Sequence, residues 1–286
     1  MSVWSEPQSG SLFADVDGLR VHYKRAGHGP TVVLLHGSAS SLHHFEGVAA
    51  LLSASYDVIR PDLPGWGLTG ARADRNYRVP TYAATVARFL EVLGVRSCAV
   101  VGNSLGGNIA WNLALDRPER VSALVLVNAT GYPEKSLPAA MRLGRNPLVR
   151  PLLRRAMPRR MIERNLRAAV GPDPGISEEK MAQMVERSYQ LMGRPGNRSA
   201  FVDFVNTDQP DRSAEIARIA APTLVLRSAS IDGQHFARDI PAAQELVHPG
   251  GGHLLPEEDA QWVGGSIAAF LDSHSTSTQP HQGGRQ

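Results

Sequence analysis

Cysteine is almost missing from this 286-residue sequence, with Cys98 the only one. An intrachain disulfide and a tetrathiolate metal site are thereby excluded, and the setting Ser97-Cys98-Ala99-Val100-Val101 reads as a buried thiol. A chain that needs no disulfide fits a reducing, cytoplasmic compartment. No window reaches 18 consecutive apolar residues, so no membrane-spanning helix is expected. The start, from Met1 to Gln8, lacks the cationic beginning and apolar run of a secretory leader. Aromatic residues make up only 6%, and no nucleic-acid-binding motif is present, which argues against a nucleic-acid partner. No His pair stands at metal-ligand spacing with carboxylates, so neither a metal nor another cofactor is expected.

What is present is ordinary globular composition, 42% hydrophobic and 20% charged, at a length that fits one large α/β domain carrying an insertion. Short β-rich runs alternate with helical patterns, the rhythm of crossover units on a mostly parallel sheet flanked by helices. Strands are expected at Leu12–Val16 and Leu19–Arg25, turned at Asp17-Gly18, then at Thr31–Leu35, Asp57–Arg60, Cys98–Val101, Val121–Val127, Pro222–Leu226 and Glu245–Val247. Helices are expected near His44–Ser53, Thr81–Gly94, Leu105–Arg117 and Pro256–Leu271. After Gly131 the rhythm breaks for about eighty residues of helical spacing with several Pro. The expected organisation is a core in two pieces, residues 1–130 and 214–272, a helical Arg-rich cap at 131–213, and a disordered tail at 273–286.

The strongest chemical signal is Gly102-Asn103-Ser104-Leu105-Gly106, at the end of a strand and the start of a helix. Small residues at 102 and 106 suit a strained strand-to-helix turn that exposes the Ser104 hydroxyl beside unpaired backbone N–H groups. The plain alternative is a Gly-rich turn with an incidental serine.

Three further segments accompany it in order. They are Leu34-Leu35-His36-Gly37-Ser38, Pro61-Asp62-Leu63-Pro64-Gly65-Trp66-Gly67-Leu68-Thr69 and Gly251-Gly252-His253. With these, the chain from about Leu12 to Leu271 resembles the α/β-hydrolase superfamily, and within it the capped serine hydrolases that include esterases and meta-cleavage C–C bond hydrolases. The resemblance implies Ser104 as nucleophile, His253 as the base, and an oxyanion hole made by the backbone N–H groups of Leu105 and Ser38. His36 is expected to hold loop structure rather than transfer protons, and it is a candidate to line the substrate pocket. His43 and His44 follow the first oxyanion segment and, with Gly37, Asn103 and Trp66, are candidates to line a pocket. His235, His248, His274 and His281 lack a comparable setting.

The acid departs from the family pattern. Relatives continue the seventh strand into Trp-Gly-x-x-Asp, whereas this chain reads Leu226-Arg227-Ser228-Ala229-Ser230-Ile231-Asp232-Gly233. Asp232, one residue late, is the only carboxylate in that loop and is taken as the triad acid; the family's other location, after the sixth strand, offers Asn128.

From Arg142 to Arg167 there are nine Arg against one acid, Glu163, so this stretch carries +8 in a chain whose net charge is +3. A solvated Arg face over an apolar underside, recruitment of an anionic substrate, and contact with an anionic membrane surface all fit it. Apolar residues of the same region, including Leu137, Leu148 and Leu191, suit a hydrophobic substrate. The function expected is hydrolysis of a small to medium hydrophobic carboxylic ester through an acyl-enzyme on Ser104. C–C bond hydrolysis competes with it. A catalytically weakened ligand-binding or accessory protein is the alternative that the irregular acid loop suggests.

Overall fold

The computed structural model describes residues 3–133, 139–172, 175–231 and 234–275. Its centre is an eight-stranded sheet of β1 (Leu12–Val16), β2 (Leu19–Ala26), β3 (Thr31–Leu35), β4 (Asp57–Pro61), β5 (Cys98–Asn103), β6 (Val121–Val127), β7 (Thr223–Ser228) and β8 (Gln244–His248). The spatial order is β1-β2-β4-β3-β5-β6-β7-β8, antiparallel among β1, β2 and β4 and parallel from there on. The β1–β2 turn is built as its sequence requires, with positive φ at both Asp17 (53°) and Gly18 (84°).

The central strands carry β-branched and Leu residues without polar alternation, because both faces of the sheet are covered. Val33, Leu35, Val100, Leu124 and Leu126 face one core, which is packed by α2 (Val79–Val92) and α3 (Leu105–Asp116). Val32, Leu34, Val101, Val125 and Val127 face the other, closed by α1 (Glu46–Leu52) and α11 (Ala260–Ser275). Helix α2 stops where Gly94 takes a φ of 71° and the Val95 N–H reaches back to the Leu90 carbonyl. Cys98 is buried, and burial pushes its thiol up to about 12.

Between β6 and β7 lie α4 (Ala139–Arg145), α5 (Arg150–Arg155), α6 (Arg159–Ala169), α7 (Glu178–Gly193) and α8 (Asn197–Val205). Two short helices follow β7, namely α9 (Phe236–Asp239) and α10 (Leu255–Glu258). Expected boundaries are met within a few residues, with three corrections. The helix expected at His44 begins as a 3-10 turn over Leu42–Phe45. The last helix is two, because Asp259 interrupts it and accepts from the Trp262 N–H as an N-cap for α11. That helix also runs on through 273–275, so the tail expected from 273 is helical there; residues 276–286 lie outside the described residues. Among the described residues, no helix is long and apolar enough to cross a membrane.

The Arg-rich stretch is less bare than its sequence implies. Arg154 pairs with Asp203, Arg159 with Glu163 and Glu186, and Arg167 with Glu163 and Glu178. Leu153, Met157 and Ile162 are buried beneath these arginines, while Leu148 lies exposed and Leu137 falls outside the described residues.

The turn from β5 into α3 passes so close to β3 that a Cβ on Gly106 would lie 2.0 Å from the Leu35 carbonyl oxygen. Gly106→Ala therefore forces backbone apart, and its expected cost is about 1–3 kcal/mol or more, read as a lower urea midpoint at unchanged m-value.

Candidate active site

Ser104 sits between the last residue of β5 and the first of α3 with φ 54° and ψ −115°. A non-glycine residue pays for that backbone geometry, and three hydrogen bonds hold it. The Ser104 N–H donates to the Val127 carbonyl at 3.1 Å, and its own carbonyl accepts from the N–H groups of Asn108 at 3.0 Å and Thr130 at 3.3 Å. The glycines are required by contact rather than by freedom of φ. A Cβ on Gly102 would stand 2.2 Å from the Gly106 carbonyl oxygen, and one on Gly107 would stand 2.4 Å from the Ala129 Cβ. The loop after β3 closes over the same point, since a Cβ on Gly37 would come 3.3 Å from the Ser104 Cβ. Among the described residues, neither the Leu105 N–H nor the Ser38 N–H has a hydrogen-bond partner.

His253 lies on the loop before α10, and both it and Ser104 line one cavity. The loop is tied down by backbone and side-chain bonds. The His253 N–H donates to the Ala169 carbonyl at 2.7 Å, and the Asn103 amide donates to the His253 carbonyl at 3.2 Å. The Glu258 carboxylate accepts from three backbone N–H groups, those of Gly171 (2.8 Å), Gly252 (2.8 Å) and Leu254 (3.0 Å). Burial lowers the His253 imidazole to about 4, with the nearby His44 acting in the same direction, so the ring is neutral at pH 7.

Asp232 lies outside the described residues. What surrounds its loop is described. Ser228, where relatives carry Gly, is fully buried; its hydroxyl donates to the Gly252 carbonyl at 2.7 Å and accepts from the Asn128 amide at 3.1 Å. The Asn128 side chain also accepts from the Ser228 N–H and donates to Gly252, and the Ser230 hydroxyl donates to the Gly251 carbonyl at 3.0 Å. The loop after β7 and the His253 loop are thus laced together.

Two of the expected pocket residues need correction. His36 is fully buried below the loop, its Nδ1–H donating to the Gly37 carbonyl and its Nε2 accepting from the Leu63 N–H, and it does not line the cavity. His43 turns toward Ser41, Gln8 and the edge of Trp4. His44 takes its place at the cavity wall, beside Gly37, Trp66 and Asn103.

The cavity encloses about 600 Å³ and is mostly apolar, lined by Leu153, Met157, Ile162, Leu191 and Phe201 from the segment between β6 and β7. One wall is polar. The buried Glu257 carboxylate accepts from Arg187 at 2.7 and 2.8 Å and from His44 Nδ1 at 3.1 Å. Burial is the largest single influence and opposes the charge, but Arg187 and His44 together outweigh it and hold Glu257 at about 2. Sequence reasoning missed Glu257, Glu258 and Arg187. The partners of Glu257 stand 213 and 70 residues away, beyond any local pattern. Among the described residues, no three His, Cys, Asp or Glu side chains gather as metal ligands.

A family model described as alpha/beta hydrolase fold matches residues 30–260. The chain belongs to the α/β-hydrolase fold family. It is 29% identical over 266 residues to an uncharacterized hydrolase, YugF, of Bacillus subtilis, covering 90% of this chain and 96% of that one. It is 33% identical over 289 residues to a 2-hydroxy-6-oxononadienedioate/2-hydroxy-6-oxononatrienedioate hydrolase of Burkholderia vietnamiensis, covering 91% and 94%. Among solved structures, a membrane phospholipase A, described as a bacterial virulence factor, matches with a TM-score of 0.77 and 26% identity over 93% of this chain and 86% of that one.

Glu258→Ala in this hydrolase leaves three buried or half-buried N–H groups without their carboxylate, and the expected cost is about 3 kcal/mol or more. The check is urea unfolding together with faster hydrogen exchange at Gly252 and Leu254. A pH dependence follows from the buried imidazoles. Burial holds His36 at about 4, His43 at about 3 and His253 at about 4, against an ordinary 6.5. The unfolded chain takes up these protons as pH falls below 6.5 while the folded chain does not, so their contribution is complete above 6.5 and is lost as pH falls toward 4 and 3. The melting temperature is expected to fall already between pH 7 and 5, before ordinary carboxylates titrate, and His43→Gln makes that decline shallower.

Proposed function

We propose that this α/β-hydrolase is a serine hydrolase of small to medium hydrophobic carboxylic esters, acting through an acyl-enzyme on Ser104. The observation that carries this reading is the Ser104 turn, a strained backbone held by three hydrogen bonds at the wall of an apolar cavity that His253 also lines. Ser104 Oγ attacks the ester carbonyl and gives its proton to the neutral His253 imidazole. The oxyanion accepts from the N–H groups of Leu105 and Ser38, a type of contact whose removal elsewhere costs about 3–4 kcal/mol in the transition state. His253 then hands the proton to the departing alcohol, and water repeats the sequence on the acyl-enzyme. Asp232 is assigned to orient His253 and to balance its transient charge. Support for that role comes from the bonds that Ser228 and Ser230 make from the same loop to Gly252 and Gly251.

The apolar lining supports a hydrophobic acyl or alcohol group, with the inserted helices serving as a cap. Similarity to a phospholipase A, an ester hydrolase by name, agrees with this. The second reading, C–C bond hydrolysis, is favoured by the Burkholderia relative and its printed substrate, a dioate. Two carboxylates would need two cations in the lining; Arg187 is committed to Glu257, and Arg145 donates to the Val205 carbonyl and stands 4.0 Å from Asp208, so the ester reading is preferred.

The test is covalent labelling by a fluorophosphonate probe, run beside hydrolysis of 4-nitrophenyl esters of increasing chain length. Wild type is expected to label rapidly, Ser104→Ala not at all, and His253→Ala and Asp232→Asn more slowly by roughly three to four orders of magnitude. A folded wild type that neither labels nor turns over any ester would overturn the proposal in favour of ligand binding without catalysis.

A further inference from the structure

His44, Glu257 and Arg187 form a polar wall that the hydrolytic chemistry does not use. The His44 ring is 99% buried and is fixed at both ends of its orientation. Its Nδ1 meets the Glu257 carboxylate at 3.1 Å, and its face stands edge-on to Phe45 with ring centres 5.2 Å apart. Glu257 is in turn held by Arg187, so neither partner can swing away cheaply. The opposite edge of the imidazole is different. Nε2 is buried and has no hydrogen-bond partner among the described residues, although the ring lines the same cavity as Ser104 and His253. A buried nitrogen left unpaired costs stability and is retained where a ligand supplies the missing partner.

The Nδ1 edge is spent on the Glu257 carboxylate, so the bond that the ring lacks is one at Nε2. The Glu257 and Arg187 charges are matched to each other, so this wall offers no spare cation for a substrate carboxylate. A hydroxyl both donates and accepts, so it can complete the bond at Nε2. We infer that His44 is a specificity-determining residue whose Nε2 shares a hydrogen bond with a hydroxyl on the substrate, which makes the preferred ligands hydroxylated hydrophobic esters. This deepens the ester-hydrolase reading and rests on it for the word substrate, but the contact itself is one of binding. Sites built around such a bond reject analogues that lack the hydroxyl far more strongly than apolar pockets reject a missing methylene.

The experiment is isothermal titration of Ser104→Ala protein with methyl hydroxyhexanoates bearing the hydroxyl at each position from C3 to C6, each compared with the isostere that has methyl in place of hydroxyl. At least one hydroxylated member is expected to bind about tenfold more tightly than its isostere. In Ser104→Ala/His44→Phe that preference falls to about one, and in Ser104→Ala/His44→Gln, which keeps a hydrogen-bonding side chain, part of it returns. His44→Leu gives the same readout if the larger ring does not fold. Equal binding of every hydroxylated ester and its isostere, or a preference that survives the loss of His44 in folded protein, overturns the inference. Because the titrations use protein lacking the nucleophile, they are independent of turnover, and failure of the hydrolase reading is scored separately by the labelling of wild type.

Discussion

The closeness of backbone to backbone where β5 gives way to α3 governs the arrangement of the site. Gly102, Gly106 and Gly107 have no room for a side chain against Gly106, Leu35 and Ala129, and the residue enclosed among them is forced to a φ of 54°. With a β-carbon at those glycines the helix could not start so near the sheet, and Ser104 would not stand beside the loop after β3. The position of Ser104, the proposed nucleophile, against the loop after β3 is therefore a consequence of one steric constraint, and the sheet interior, covered on both faces, supplies the rigidity to sustain it.

The sequence was most informative where structure is local. Thr31–Leu35 and Val121–Val127 read as buried strands because uninterrupted apolar runs have few other uses at that length, and the Gly-x-Ser-x-Gly turn is spelled within five residues. The interruption at Asp259 was also local, an acidic cap three residues before a bonded N–H, but helical spacing on both sides concealed it. Histidine roles were poorly readable. His36, His43 and His44 differ in which ring nitrogen meets which distant partner, and adjacent positions on a 3-10 turn point in unlike directions. The polar wall was not readable at all, because it joins three segments far apart in the chain.

Charge counting along the chain was similarly misleading. Nine arginines within a short stretch look like an exposed cation, yet several are matched by Asp203, Glu178 and Glu186, which follow later in the sequence. Pairing of this sort gives little stability at the surface but spreads the field over the inserted helices rather than concentrating it. The apolar underside of the same helices, with Leu153, Met157 and Ile162, is what meets the cavity.

The end of α6 and the loop of His253 share their hydrogen bonds. Ala169 accepts from the His253 N–H, and Glu258 holds the N–H of Gly171 with one of the oxygens that holds Gly252. A Cβ on either Gly171 or Gly252 would collide with the other segment at 2.2 Å. Roof and base are consequently one mechanical piece at this corner. If the roof lifts there to admit a ligand, the imidazole loses its anchor in the same motion, and it regains it only on closing. With Ser104 and His253 in their proposed roles, such an interlock would leave the serine unactivated whenever the roof stands open at this corner.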